Sequence, residues 1–466
     1  MTDPDLNCVC AREQSIALPE GGTLHVHRTE LTRKDLVSFV ILVEVSGETE
    51  VVNRGLENPQ FLRGIKVACC YDGTEATAKL ELWTTHEFTF PSGRSIFHFV
   101  CSTIESADAT GEHFEFILPF VDFGQGDRPT RVNFPNGGIW QPFDHLAFNI
   151  GSGEWTLRNL YEIDHVLYTT KEAAARKMEN PKLSELVLKP SAHSLLQAPA
   201  GVGAEEAEST ATRICWLLHL AFAQPVAWSE MRVRAEGKSR FVLRRSFAFP
   251  SKVAASSPLR NWGDRTLKLY LEGAYPEFEV AETWWSETMN WYSIATEHLA
   301  LESSSMIFCM LLDRMSSKLL NGHTYAKQIG DDLDRFLEDE SNQKKLAGTF
   351  GGIMKPLSSG WEDYRSNEMV KILKGWNDSP SYGKKISIAF GLVGLKEPSR
   401  KMLGHRHKLM HEGGLKLKGE EAVNFLLDLN EQILVLLFAM LNYRGKFFLT
   451  GRGARFMADF ALDEAS

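Results

Sequence analysis

The chain has 466 residues, 43% of them hydrophobic and 24% charged, which is the composition of an ordinary globular protein with about two to four domains. Its formal net charge of −9 argues against a protein that coats nucleic acid through bulk electrostatics, although a local basic groove is still allowed. The N-terminal sequence MTDPDLNCVC lacks the basic start and apolar stretch of a signal peptide, and the longest apolar run, residues 433–441, is shorter than the roughly 20 residues that cross a bilayer. A cytoplasmic protein with no membrane partner is therefore expected.

The seven cysteines do not predict a disulfide framework, because they are odd in number and spread along a long chain. Two pairs, Cys8 with Cys10 and Cys69 with Cys70, resemble the beginning of a zinc site. Neither has the two-residue gap with which paired thiolates wrap one ion. Reduced structural cysteines are expected.

The N-terminal part is typical of β structure. Residues 36–45, 78–90 and 95–104 are rich in β-branched and aromatic residues and are separated by clusters of Gly, Pro, Asn and Asp. The sequence NFPNGGIW at 133–140 is typical of a turn. These patterns predict a β-rich domain, a sandwich or barrel, over residues 1–165.

A mixed α/β segment is predicted over residues 166–275. Its residues 190–209, PSAHSLLQAPAGVGAEEAES, contain Pro, Gly and Ala with little periodicity and predict a linker or exposed loop. A helix over 211–222 and a pair of strands, VAWSEMRVRAEG followed by SRFVLRRSFAF, complete the segment.

The C-terminal part, residues 276–466, has the periodicity of helices. The predicted helical segments are residues 287–320, 325–348, 360–376, 398–414 and 419–443. Together they predict an all-α bundle. The expected fold class is α+β, with a β-rich N-terminal region followed by this helical bundle.

The stretch LGHRHKLMHEGG, residues 403–414, concentrates three histidines and an arginine near a helix end and has three interpretations. In the first, Arg406, His407 and Lys408 are a solvated cap at the negative end of the helix dipole. In the second, His407 and His411 are four residues apart and grip a metal ion from one helix face. No third ligand is evident and the neighbourhood is cationic, so no metal site is predicted.

The third interpretation is phosphodiester chemistry on RNA. The forked guanidinium of Arg406 can hold a phosphate, and the imidazole of His411 can take or give a proton near neutral pH. RNA supplies its own nucleophile, the 2′-hydroxyl, so no metal or cofactor is needed. Five helical steps separate the two side chains by roughly 140° around the axis and about 7.5 Å along it. Two copies facing each other across a two-fold axis would complete the cleft, which predicts a homodimer or a larger even-numbered oligomer.

The sequence RHKLMH, in a helix near the end of an all-α bundle, resembles the R-(polar)-x3-H signature of HEPN-domain ribonucleases. A long β-rich region ahead of such a bundle is similar to the arrangement in single-chain anti-phage (abortive infection) proteins of the ApeA-like type. The resemblance covers the bundle, from near residue 280 to near residue 450.

The resemblance implies a metal-independent endoribonuclease that cuts single-stranded or loop RNA, with tRNA anticodon loops favoured. Its products would carry a 2′,3′-cyclic phosphate and a 5′-hydroxyl. His411 would be the acid–base residue, Arg406 the phosphate-binding group and His407 the polar residue that orients the site. The N-terminal region would sense a phage-derived trigger.

The family often adds an acidic residue from an earlier helix, and two candidates exist here. Glu302 and Asp313 are eleven residues apart, within about 20° of one helical face, so either could pair with Arg406. Both also fit an ordinary solvated helix surface.

The basic residues near the motif favour contact with RNA, because they give this stretch a positive net charge in an otherwise acidic chain. The candidate RNA-binding residues are Arg400, Lys401, Lys408 and Lys416. The alternative function is that of a non-catalytic interaction or sensor protein whose helical bundle only dimerises.

Overall fold

The computed structural model describes residues 7–10, 12–18, 23–33, 39–47, 63–71, 74–89, 94–106, 113–121, 130–133, 145–151, 153–163, 166–169, 185–188, 190–235, 238–244, 258–259, 264–296, 300–321, 323, 331–345, 381–412, 417–449 and 452–462. The chain divides into two compact units. The first contains Met1–Thr296 and Leu441–Phe456, and the second contains Glu297–Met440 and Met457–Ser466. A large antiparallel sheet and mostly C-terminal helices confirm a mixed fold of α and β elements.

One antiparallel sheet dominates the first unit. Its main path follows the order β1-β3-β4-β7-β16-β15-β8-β14-β11-β10, while β2 pairs with β3, β6 with β7, β5 with β6 and β12 with β11. β9 and β13 form a separate pair. The strands are β1 (Asn7–Cys10), β2 (Gln14–Ala17), β3 (Thr23–Arg33), β4 (Phe39–Gly47), β5 (Lys66–Tyr71), β6 (Thr74–Thr89), β7 (Arg94–Ser106), β8 (His113–Leu118), β9 (Thr130–Asn133), β10 (His145–Ile150), β11 (Gly153–Ile163), β12 (Val166–Tyr168), β13 (Glu185–Leu188), β14 (Pro190–Gln197), β15 (Glu230–Ala235) and β16 (Lys238–Arg244).

The alternation seen in the sequence places one face of these strands in the core. In β4, Phe39, Ile41, Val43 and Val45 are buried, while the residues between them are partly exposed. A period of two puts such residues on one side of a strand, and β-branched side chains pack well there. The strands predicted within 36–45, 78–90 and 95–104 are thereby confirmed, whereas most of the predicted turn at 133–140 lies outside the described residues.

The predicted linker at 190–209 is wrong. β14 occupies its first half and is hydrogen-bonded to β8 on one side and β11 on the other. Leu195 and Leu196 are buried, and the buried Ser194 hydroxyl donates to the Val121 carbonyl at 2.6 Å. Because three successive residues, Ser194 to Leu196, are buried, both faces of β14 are covered, and such a strand needs no clear alternation. β14, β15 and β16 complete the same sheet as the N-terminal strands, so the predicted boundary at residue 165 is also wrong.

Among the described residues of the first unit there are three helices, namely α1 (Ala204–Phe222), α2 (Asp264–Val280) and α3 (Glu282–Thr296). α1 is largely buried and packs against both others, and the Tyr270 hydroxyl of α2 donates to the Leu217 carbonyl at 3.1 Å. The predicted start of the helical domain at residue 276 therefore falls inside a helix of the first unit. Periodicity marks a helix but not the elements against which its apolar face packs.

His219 of α1 is a buried titratable group in this helical layer. Its side chain is 3% exposed, and its ring centroid lies 5.3 Å from that of Trp216. Burial lowers the pKa of His219 to about 3, although a hydrogen bond with the Met289 backbone acts in the opposite direction. The imidazole is therefore neutral in the folded protein at physiological pH.

Residues 441–456 also belong to the first unit, which corrects the predicted helical domain at 276–466. They contain a hairpin of β17 (Lys446–Leu449) and β18 (Gly453–Phe456). The Phe448 amide donates a hydrogen bond to the Pro258 carbonyl at 2.7 Å. The Tyr443 and Tyr270 rings pack edge to face, with their centroids 5.6 Å apart. These contacts tie the hairpin to the rest of the unit.

The second unit is helical in its described part. Its α-helices include α4 (Leu301–Leu319), α5 (Asp331–Glu338), α6 (Tyr382–Leu392), α7 (Arg400–Glu412) and α8 (Glu420–Met440), and a 3-10 helix spans Met457–Phe460. α4 contacts α6, α7 and α8. The helix predicted over 287–320 is interrupted between α3 and α4, and the helix predicted over 360–376 lies outside the described residues.

By length and composition, α8 is long and apolar enough to cross a membrane. All residues from Ile433 to Ala439 are nevertheless buried within the fold. The core helix of a soluble protein has the same properties.

Candidate active site

The helix that carries the polar motif, α7, buries one face of its own. Ser399 stands directly before it, and its hydroxyl accepts a hydrogen bond from the Met402 amide at 3.2 Å, as an N-cap residue does. Met402, Arg406 and Leu409 are buried. Their spacing of four and three residues places them on one side of the helix. Arg406 therefore lies on the buried face of α7, where apolar side chains are usual.

Arg406 is held by side chains from two other helices. Its Nη2 donates to Oδ2 of Asp313 in α4. The central carbon of its guanidinium lies 3.4 Å from the centroid of the Tyr382 ring in α6. The Arg406 side chain is only 6% exposed, so the solvated-cap interpretation is wrong for this residue.

Asp313 is the anion of this pair, and its side chain is 32% exposed. Burial raises the pKa of Asp313 from 3.8 to about 6, while the charge and hydrogen bond of Arg406 act in the opposite direction. At pH 7 and above the carboxylate is therefore ionised and neutralises the guanidinium.

The cluster contains buried polar atoms that have no hydrogen-bond partner among the described residues. They are Arg406 Nε, Asp313 Oδ1 and the Tyr382 hydroxyl. Each such atom costs roughly 1–3 kcal/mol relative to a satisfied one. Buried polar atoms without a partner are uncommon in folded proteins, so this cluster is a candidate functional site.

Cys309 lies one turn before Asp313 in α4 and is also buried. Burial raises the pKa of its thiol to about 12, with Arg406 acting in the opposite direction. The thiol is protonated at neutral pH, so Cys309 is not a nucleophile here.

The two candidate acids differ in position, because eleven residues correspond to about 16.5 Å along a helix axis. Only one of them can reach Arg406, and the structure shows that it is Asp313. Glu302 lies exposed in the first turn of α4.

Glu302→Ala is expected to change the free energy of unfolding by less than about 0.5 kcal/mol, because the carboxylate is solvated. Thermal unfolding of the full chain at pH 7.5 measures this. A loss of more than about 1 kcal/mol would show that Glu302 has a structural role at this site.

The remaining candidates lie around the buried face. Four of them are exposed, namely Arg400, Lys401, His407 and Lys408. The Nζ atom of Lys401 lies 3.6 Å from Oε1 of Glu421. The backbone of His411 continues the helix to its last turn, but its side chain and all of Lys416 lie outside the described part of the structure.

Metal ligands are not grouped in the part of the chain that the structure describes, where no three His, Cys, Asp or Glu side chains lie together. In this part of the chain Cys10, Cys101, Cys215 and Cys309 are free thiols. The pairing of His407 with His411 as metal ligands is not tested by these residues, because the His411 side chain is not among them.

In comparisons with known proteins, the chain matches no protein-family model, no curated protein and no solved structure.

Tyr382 is the residue that sequence reasoning missed. It lies 24 positions before Arg406, in a different helix, and a ring at the first position of a helix has no pattern that indicates stacking. The burial of Arg406 could have been predicted from the sequence, because its spacing from Met402 and Leu409 places the three residues on one helix face.

Proposed function

We propose that the second unit is a metal-independent endoribonuclease of HEPN type. It cuts single-stranded or loop RNA, with tRNA anticodon loops favoured, in anti-phage defence. The observation that carries the proposal is the pairing of Arg406 with Asp313, since an acidic residue from an earlier helix is what the resemblance implies. The all-α HEPN bundle and the cytoplasmic location are parts of the same proposal.

The proposed reaction uses the nucleophile that RNA contains. The His411 imidazole takes the proton of a 2′-hydroxyl, whose oxygen attacks the adjacent phosphorus. The bond from phosphorus to the 5′-oxygen breaks, and the protonated His411 imidazole returns the proton to that leaving oxygen. The products are a 2′,3′-cyclic phosphate and a 5′-hydroxyl, and the positive charge of Arg406 stabilises the charge that develops on the phosphate oxygens.

Two protomers complete the proposed site. Five helical steps keep Arg406 and His411 of one α7 apart, and a second copy across a two-fold axis brings the complementary pair to the same phosphate. The exposed His407 orients the site, and the first unit senses a phage-derived trigger.

The basic surface of α7 supports contact with the RNA backbone. Arg400, Lys401 and Lys408 are exposed, and only Lys401 has an ion pair within the described contacts. Neutralising phosphates with such residues gives an affinity that falls as salt rises. Lys416 is proposed to contribute in the same way.

A non-catalytic sensor is the second candidate. The burial of Arg406 favours it, because a side chain that is 6% exposed can serve simply to hold α4 and α7 together. In that case the second unit dimerises without cutting RNA.

Cleavage of total tRNA by the purified full chain tests the proposal, with and without EDTA and with an extract of phage-infected cells as trigger. Arg406→Ala and His411→Ala are each expected to lower the cleavage rate by at least about 100-fold, since they remove charge stabilisation and proton transfer. Arg335→Ala and His323→Ala, at exposed positions of the same unit, are the matched controls and retain activity.

The alternative functions predict different results in this assay. Cleavage that EDTA abolishes supports a metal hydrolase that uses His407 and His411. Intact tRNA under every condition supports the non-catalytic sensor. Equal cleavage by all variants shows that the activity resides elsewhere.

A further inference from the structure

The contact between Tyr382 and Arg406 has the geometry of stacking. At 3.4 Å from the ring centroid, the guanidinium carbon is at van der Waals distance from the ring face. Arginine favours this arrangement because its guanidinium is planar and weakly hydrated, and a desolvated cation–π contact is stronger than an exposed one.

The ring makes this contact without help from the hydroxyl. The Tyr382 hydroxyl is buried and has no hydrogen-bond partner among the described residues, so it neither donates to Asp313 nor accepts from Arg406. The aromatic face alone meets the cation.

Asp313 by itself leaves the guanidinium free to turn. It engages one nitrogen, Nη2, whereas Nε has no partner within the described residues. A group held through one nitrogen can rotate about that contact. A flat ring against its face removes this rotation and leaves the edge of Nη1 and Nε without a hydrogen bond to any described residue.

We infer that Tyr382 is a positioning residue, whose ring orients the Arg406 guanidinium so that one nitrogen edge meets the substrate phosphate. The catalytic part of this inference rests on the proposed ribonuclease function. A ring suits the task because it adds no negative charge. A second carboxylate would also fix the guanidinium, but it would repel the phosphate.

Nuclear magnetic resonance of the full chain, labelled with 15N-arginine, tests the stacking without any RNA. The Arg406 Nε–H signal, assigned by its loss in Arg406→Lys, is expected upfield of ordinary arginine signals because of the ring current. Tyr382→Phe keeps this shift, and Tyr382→Leu moves the signal back to the ordinary range. An ordinary position in the unmodified protein, or an unchanged shift in Tyr382→Leu, would overturn the inference.

Cleavage kinetics test the positioning. Tyr382→Leu is expected to lower kcat by about 100-fold, as a misplaced catalytic group does, while KM changes by less than about threefold. Tyr382→Phe keeps kcat within about threefold, because the hydroxyl takes no part. A Tyr382→Leu variant that retains kcat, or a Tyr382→Phe variant that loses it, contradicts the role.

The two readouts separate this inference from the proposed function. A shifted Arg406 signal together with tRNA that stays intact would leave the stacking established and refute the ribonuclease. If Tyr382→Leu does not fold, the signals of the unmodified protein and of Tyr382→Phe still decide the stacking, and the kcat of Tyr382→Phe decides the role of the hydroxyl.

Discussion

Replacing Asp313 by alanine is expected to lower the free energy of unfolding of the second unit by about 3 kcal/mol. The substitution leaves the guanidinium of Arg406 buried without the carboxylate that neutralises it, and an unpaired buried charge is among the most destabilising changes a protein can undergo. Urea unfolding at pH 7.5 measures the loss. At that pH, above the Asp313 pKa of about 6, the wild-type carboxylate is ionised.

A second substitution shows whether the loss comes from the stranded charge. Arg406→Met in the Asp313→Ala background removes the cation and keeps an unbranched apolar side chain, so about 2 kcal/mol of the loss should be recovered. Glu302→Ala, in the same helix, is the matched control. If the two single substitutions simply add, the guanidinium and carboxylate do not interact, and the cluster on which the candidate site rests would be refuted.

The first unit is expected to lose stability steeply in acid because of His219. Its pKa is about 3 in the folded protein and about 6.5 when unfolded, so between these values only the unfolded chain takes up the proton. Stability is then fully present above pH 6.5 and falls by about 1.4 kcal/mol for each unit below it, reaching a loss of about 2.7 kcal/mol at pH 4.5.

His219→Phe is the variant that isolates this effect. A phenylalanine packs beside Trp216 but does not titrate, so unfolding of the first unit should lose that part of its pH dependence. It also leaves the Met289 backbone without its partner, so about 1 kcal/mol of stability is lost at every pH. His323→Ala, an exposed histidine, is the control. An unchanged slope in His219→Phe would show that other groups govern the acid response.

The fold was predictable where one physical pattern dominates a segment. Strands such as β4 show a period of two because one face is buried, and α1 and α8 show helical runs of apolar residues. β14 was missed because both strands that pair with it are distant in sequence, and because the successive burial of Ser194 to Leu196 leaves no alternation. The unit boundaries were missed for the same reason, since they depend on contacts such as that between Phe448 and Pro258.

The candidate site was predictable only in part. The motif pointed to Arg406, and its spacing from Met402 and Leu409 could have shown that it is buried. The acid that pairs with Arg406 is decided by its position along the axis of α4. Comparing Glu302 and Asp313 only by their angle around the helix leaves that position out. The contact with Tyr382 joins two helices and leaves no pattern in either one.

The backbone passes between the units three times, after Thr296, after Met440 and after Phe456. No single cleavage can therefore release one unit intact. A fragment that starts at residue 297 would contain the hairpin of β17 and β18 without its contacts to Pro258 and Tyr270. A fragment that stops at residue 296 would expose Pro258 and Tyr270, which the hairpin segment contacts in the full chain. Recombinant dissection of this protein calls for excision of residues 441–456 from the helical piece and their grafting onto the other.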